Sequence, residues 1–180
     1  MGKLSTILDE STISFIRSQA MFFVASAPLD AAGHVNISPK GLDTFRLLDG
    51  GRVAYLDLTG SGIETVAHIK ENRRVVIMFC AFQGHPKILR LHGRGRVVEP
   101  GEAEFDELRR PFPDLEGVRS VIVVELTRVS QSCGFGVPLF KYEGERPQLE
   151  AWAKQKGADG LKTYRQNKNS SSIDGLRGLR

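Results

Sequence analysis

The chain has little cysteine. Its 180 residues include two, Cys80 and Cys133, which are far apart and form no Cys-x-x-Cys pair. That argues against a disulfide framework and against a zinc site, and it fits a reducing, cytoplasmic setting. Cys80 sits inside an apolar run, where a free thiol acts as a small hydrophobe. Long hydrophobic runs are missing as well. No stretch approaches the ~20 apolar residues that a membrane helix needs, and no apolar signal region follows Met1. The opening Met1-Gly2-Lys3-Leu4-Ser5-Thr6 does fit the loose pattern for N-myristoylation, a motif of low specificity.

Charge of one sign is also scarce. Lys and Arg number 25 against 21 Asp and Glu, a net charge of +4. No block of five or more Lys/Arg occurs, which argues against nucleic acid as a partner and leaves small anions weakly favoured. The four histidines, His34, His68, His85 and His92, lack the spacing of a metal site. Each reads as a surface or hydrogen-bonded side chain. The row Arg90, Arg94, Arg96 falls on one strand face, solvated or available to phosphate groups. No Ser-His-Asp or Cys-His arrangement follows from spacing, so no catalytic residue is assigned.

What is present is an ordinary globular composition, 41% hydrophobic and 26% charged, of a length that suits one domain. The chain is organised around Arg52–Phe82, which reads as strand, Gly-rich turn, short helix and strand. Ahead of it, Asp9–Gln19 patterns as an amphipathic helix with Ile13 and Ile16 inward. Ala20–Ala27 and His34–Ser38 then form a hairpin, broken by Pro39-Lys40-Gly41. Arg52–Leu58 alternates Val53, Tyr55 and Asp57 against Ala54, Leu56 and Leu58. Glu64–Glu71 is a helix that Asn72 ends, and the apolar Val75–Phe82 is a central strand.

Lys87–Glu99 is a long strand whose Gly93 and Gly95 permit a bulge or strong coiling. A short helix over Glu102–Arg110 stops at Pro111, and Val118–Val129 is another long strand. Pro147–Gln155 and Ala158–Gln166 pattern as two helices separated by Gly157. The polar stretch Asn167–Arg180 is either disordered or an arm that orders on something else, such as the cleft. Six or so strands with few helices and hairpin-like connections predict a mainly β chain. Its form is an antiparallel barrel with helices at the ends and a helical C-terminal extension. Residues 1–145 would form the barrel, and 146–180 an extension of the same domain.

Three places could carry chemistry. In Thr59-Gly60-Ser61-Gly62, two glycines allow close backbone approach, and the turn opens a helix whose N–H groups suit an anion. Ser61, Thr59 and Thr65 add hydroxyls. A plain turn with a Thr or Ser cap explains the pattern equally well, because the third glycine of the dinucleotide fingerprint and the Lys of a P-loop are absent. Ser38-Pro39-Lys40-Gly41 puts Lys40 beside a polar strand face, as a phosphate partner or a solvated lysine. Asp57 stands on an apolar strand and needs a partner, since an unpaired buried charge is costly.

The order strand, Thr59-Gly60-Ser61-Gly62, helix and Asn72-Arg73-Arg74-Val75 resembles the pyridoxamine 5'-phosphate oxidase-like flavin-binding split barrels. HVNISPKG upstream and the strand carrying His92-Gly93-Arg94-Gly95 fall where that family has theirs. The resemblance covers about Ser14 to Val129. The tail, with CGFGVP and NSSSIDGL, resembles a narrower branch. It implies a split antiparallel barrel and a homodimer with FMN in two interface clefts. His34–Lys40 would line the flavin, placing Asn36, Ser38, Pro39, Lys40 and Gly41 beside it. Asp57, Leu58 and Thr59 would approach the ring or ribityl chain, and Gly60, Ser61, Gly62, Glu64 and Thr65 the phosphate. Glu64-Thr65 stands where the true oxidases carry Arg-Lys, and the oxidases' C-terminal Arg-x-x-x-x-Arg-Leu substrate motif is lacking. Oxidation of pyridoxamine phosphate is therefore not implied. An FMN-dependent oxidoreductase on another small molecule is the leading expectation. A non-catalytic flavin, deazaflavin or haem carrier of the same fold is the alternative.

Overall fold

The computed structural model describes residues 8–179. The Met1–Thr6 pattern lies outside the described residues. Helix α1, Glu10–Arg17, is capped by the Asp9 side chain, which accepts from the Thr12 N–H at 2.9 Å. Strands β1, Phe22–Ser26, and β2, Asn36–Lys40, form an antiparallel hairpin in the register Val24↔Ser38. The second strand therefore runs through Pro39 and Lys40 instead of ending before them. Pro39 has no N–H to give, and β2 is an edge strand, where none is required. The short strand β3, Phe45–Leu47, was not expected from the sequence. It pairs with β4, Arg52–Leu58, and its Phe45 ring packs 5.2 Å from Phe22 and 5.1 Å from Phe79.

Helix α2, Glu64–Asn72, ends where Arg73 adopts a left-handed conformation, φ 65°. Strands β5, Arg74–Cys80, and β6, Ile88–Val98, follow. After them come the short helix α3, Phe105–Arg109, and the long strand β7, Val118–Ser132. All seven strands form one antiparallel sheet in the order β2-β1-β5-β6-β7-β4-β3. The sheet is curled into a split barrel with flanking helices, a mainly β fold. The expectation of a barrel with end helices and six or more strands holds.

The two faces of β4 divide as its alternation predicts. Val53 and Tyr55 join the inner core with Ile69, Ile77, Leu91 and Ile122. Ala54 and Leu56 join Val98, Val121 and Val123 on the outer face, where α3 packs with Phe105 and Leu108. The β6–β7 ladder shifts register between His92 and Gly93, the irregularity anticipated there. A Cβ at Gly93 would lie 2.4 Å from the Glu125 carbonyl oxygen, and one at Gly95 2.8 Å from Ile69 Cδ1. These glycines let β7 and α2 close onto the sheet.

The helical segment α4, Gln148–Lys168, is two helices that meet at Gly157, whose backbone is non-helical at φ 65° and ψ 176°, as read from the sequence. Its Trp152 and Tyr164 rings pack 5.1 Å apart. The tail is ordered. Asn169 and Ser172 are buried, and a bridge joins Ser171 to Arg177. Among the described residues no helix is long and apolar enough to cross a membrane.

Replacing Gly93 by alanine is expected to lower stability by ~1–3 kcal/mol, through overpacking against β7. The same change at Gly60, where a Cβ meets nothing within 4 Å, should leave stability nearly unchanged. Denaturant unfolding of both variants checks the contrast.

Candidate functional site

A cleft of about 280 Å³ opens where β2, the end of β4 and the start of α2 converge. Asn36, Ser38, Pro39, Lys40 and Gly41 line it from β2 and its exit. Asp57, Leu58, Thr59, Gly60 and Gly62 line it from β4 and the turn, and Glu64 and Thr65 from α2. The sequence-derived candidates are thus brought together, apart from Ser61, which is exposed and lies outside the lining. Five lining residues were not anticipated: Arg119, Leu42, Thr44, Leu56 and Leu149. Leu42 and Asp43 both hold positive φ, 61° and 52°, at the cleft edge. Such backbone costs of order 1–3 kcal/mol at a non-glycine residue and gathers at ligand sites.

Asp57 is the electrostatic centre. It is 2% exposed. Arg119 Nε donates to its Oδ2 at 2.6 Å and Lys40 Nζ to its Oδ1 at 3.1 Å, while Ser120 Oγ donates weakly at 3.4 Å. Burial alone pushes the Asp57 carboxyl up, but the charges of Arg119 and Lys40 outweigh it and hold the group below the usual carboxylate range. Arg119 owes its position to a second register shift. Asp57 pairs with Ser120 and Leu58 with Val118, so Arg119 is the extra residue of a bulge in β7. Its guanidinium also donates to the Gly62 carbonyl at 2.7 Å and to that of Gly60 at 3.3 Å. The turn is therefore tied to the same buried pair.

The opposite wall carries neutral donors. Asn36 Nδ2 donates to Thr65 Oγ1 at 2.9 Å and to Ser38 Oγ at 3.3 Å. The alternative reading of this turn, a plain turn with a Thr or Ser cap, does not hold. Position N-cap is Ile63, and no side chain caps α2. Its first-turn N–H groups are left for solvent or a ligand. Glu64 folds back over the turn, its Oε2 2.7 Å from where a Gly62 Cβ would stand. Within the cleft, Lys40 and Arg119 balance Asp57 and Glu64, so the walls carry no net charge.

The C-terminal arm clasps the turn from behind and does not cover the cleft. Asn169 Nδ2 donates to the Gly60 carbonyl at 2.9 Å. Lys70 Nζ, held by Glu99 at 2.6 Å, also donates to the Gly178 carbonyl. Farther along, Asp174 takes His34 Nδ1 at 2.6 Å and the His34 N–H at 2.9 Å. Nothing from residues 169–179 lines the cleft. His68 is fully buried on α2 with Nδ1 on Ser26 Oγ at 2.9 Å, and burial pushes its pKa down. In the arginine row, Arg96 is paired with Glu104 at 2.8 Å and Arg90 with Ser132 Oγ at 3.2 Å. Among the described residues no three His, Cys, Asp or Glu side chains gather as a metal site.

Replacing Arg119 by methionine leaves Asp57 buried with Lys40 alone and is expected to cost about 3–5 kcal/mol near neutral pH. The sign with pH is definite. In the parent, Asp57 contributes stability above about pH 4 and loses it as pH falls through its lowered folded value. In the variant, burial is less opposed, so ionised Asp57 becomes a cost that acid relieves. The stability gap should narrow from pH 7 towards pH 4 in thermal melts; a constant gap would show that the pair is not what Arg119 supplies.

Comparison with known proteins agrees with this architecture. Residues 8–133 match the family model described as pyridoxamine 5'-phosphate oxidase. A pyridoxamine 5'-phosphate oxidase family protein, ustO, of Aspergillus flavus is 40% identical over 189 residues, covering 96% of this chain and 76% of the relative. Among solved structures, HupZ of Group A Streptococcus superposes with TM-score 0.52 at 21% identity, covering 68% of this chain and 92% of that one. The FAD binding protein of Mycobacterium smegmatis superposes with TM-score 0.50 at 17% identity, covering 70% and 95%. With the split barrel, the matched segment and the fungal relative in agreement, the chain belongs to the pyridoxamine 5'-phosphate oxidase family.

Proposed function

We propose that this protein is a cytoplasmic flavoprotein that binds FMN in the Asn36–Thr65 cleft of a homodimer and oxidises or reduces a small molecule. The observation that carries this reading is the meeting of the polar face of β2 with the uncapped start of α2. Residues 1–145 supply the cofactor unit in this account, and 146–180 brace it.

The residues present fit a phosphorylated ring ligand. Thr65, Asn36 and Ser38 offer hydroxyl and amide groups, α2 offers free N–H groups, and Lys40 supplies a cation. Leu58 and Pro39 give apolar surface for a ring. Lys40 is oriented by Asp57, and Arg119 keeps that carboxylate ionised and fixes the turn carbonyls. When bound, the flavin supplies the electron-transfer chemistry. The protein's part is to position the ring and exclude water, and the cleft's Lys40, Arg119 and Asp57 are engaged with one another. No His, Cys, Met or Tyr lines the cleft among the described residues, so nothing there favours haem over flavin. Glu64-Thr65, standing where the true oxidases carry Arg-Lys, supports a reaction other than pyridoxamine phosphate oxidation.

A homodimer is supported by exposed apolar surface. Ile37 on the edge strand β2 and Val35 just before it are 62% and 75% exposed, and Phe135 and Leu139 beyond β7 are 78% and 76% exposed. Exposed apolar groups on a free sheet edge invite a partner chain.

The purified protein, incubated with FMN and desalted, is expected to be yellow, with the absorbance bands of oxidised flavin. Thr65→Val and Lys40→Met should each weaken FMN about tenfold, the scale of one charged or ligand-facing hydrogen bond. A folded protein that stays colourless and takes up no FMN would overturn the proposal.

A further inference from the structure

Behind the Arg119–Thr59 wall lies a second cavity, of about 510 Å³, that the flavin reading does not use. Arg119, Lys162, Arg165 and Ser170 line it together with Glu99. Three cations face one acid, and that acid is already held by Lys70 at 2.6 Å. Arg119 reaches it from the β7 bulge. Lys162 and Arg165 stand one turn apart on α4, on the same helix face.

The charges there are poorly matched within the chain. Arg119 is paired with Asp57, which it shares with Lys40, so the unmatched charge lies on Lys162 and Arg165. Arg165 has no ion pair among the described residues; its Nη1 makes one long hydrogen bond to Thr59 Oγ1, at 3.4 Å. Burial pushes its pKa down, and the charge of Arg119 adds to that. Lys162 has no ion pair among the described residues, and the Ser170 hydroxyl donates to no protein group there. The carbonyl end of α4 favours cations in its last turn, which explains Arg165 in part. It does not explain why a half-buried guanidinium is held against a second one. Like charges driven together in a concavity mark a site built for an opposite charge.

We propose that Arg119, Lys162, Arg165 and Ser170 form an oxyanion-binding site for a phosphate or carboxylate group carried by a small molecule, on the far side of the flavin cleft. Arg165, whose guanidinium makes one long hydrogen bond, can grip such a planar or tetrahedral oxyanion through paired N–H donors, and Arg119 adds its charge and its remaining Nη1 N–H. Lys162 adds a point charge, and Ser170 a hydroxyl. Because Arg119 also holds Asp57 and the Gly60 and Gly62 carbonyls, an anion here draws on the same guanidinium that shapes the cleft. The site is independent of whether a flavin fills that cleft.

The test uses the full chain without added flavin. Inorganic phosphate and malonate are titrated at ionic strength matched with sodium chloride, followed by calorimetry and by thermal melting. Saturable binding of at least one probe is expected, and the stronger probe identifies the group as phosphate or carboxylate. Arg165→Gln and the more exposed Lys162→Gln should each weaken it about tenfold, whereas Arg94→Gln, on exposed β6 surface, and Thr65→Val, in the cleft, leave it unchanged. No saturable effect beyond that of chloride would overturn the site. So would equal affinity in the parent, Lys162→Gln and Arg165→Gln, or a loss confined to Thr65→Val.

Discussion

One buried carboxylate sets the geometry of this protein's cleft. Asp57 sits near the end of β4 with almost no water to solvate it, and it stays ionised because Arg119 and Lys40 approach from opposite sides. A buried ion pair is rarely a net gain over well-packed apolar groups, but breaking one is expensive. The arrangement therefore buys definition more than stability. It joins the edge strand β2, the end of β4 and the β7 bulge, and through Arg119 it fixes the carbonyls of the Gly60–Gly62 turn. The arm adds its own hydrogen bond to the same Gly60 carbonyl through Asn169. Elements more than a hundred residues apart thus converge on one short turn.

Much of this was legible in the sequence, and the reasons are local. Strand β4 could be read to the residue because its alternation is uninterrupted and Gly50-Gly51 and the turn bound it. Gly93 and Gly95 announced a bulge or coiling, and the register does shift between His92 and Gly93; their close contacts with β7 and α2 emerged only in the fold. Asp57 announced a need for a partner, since a carboxylate on an apolar strand cannot remain alone. The partner was hidden. Regular alternation would group Arg119 with Val121 and Val123, whereas the bulge puts Val118 in that apolar cluster and frees Arg119 to turn towards Asp57. A register shift depends on both strands and leaves no mark on one.

The other differences have similar causes. Pro39 looked like the end of a strand, and only the position of β2 at the sheet edge makes it a member. Strand β3 is three residues long and exists through its pairing with β4 and its aromatic contacts, which no local pattern records. The tail is polar and rich in Gly and Ser, the composition of disorder. Its order comes from Asn169, Lys70 and His34, contacts made with residues far away in the chain. For the candidate site, the sequence supplied the two stretches and the fold supplied their meeting. Family membership fixes the fold, while the chemistry belongs to the cleft. There Lys40 and Arg119 balance Asp57 and Glu64, so in the proposed flavin site the phosphate would rest chiefly on neutral donors and on the N–H groups of α2.

The central claim is that this cleft, organised by Asp57, holds a flavin. A crystal structure of the protein saturated with FMN addresses it most directly. The account predicts density for one FMN per cleft, with its ring against Leu58 and its phosphate within hydrogen-bond reach of Thr65 and the start of α2. Flavin density elsewhere on the molecule, or an empty cleft in crystals grown with excess FMN, would contradict it.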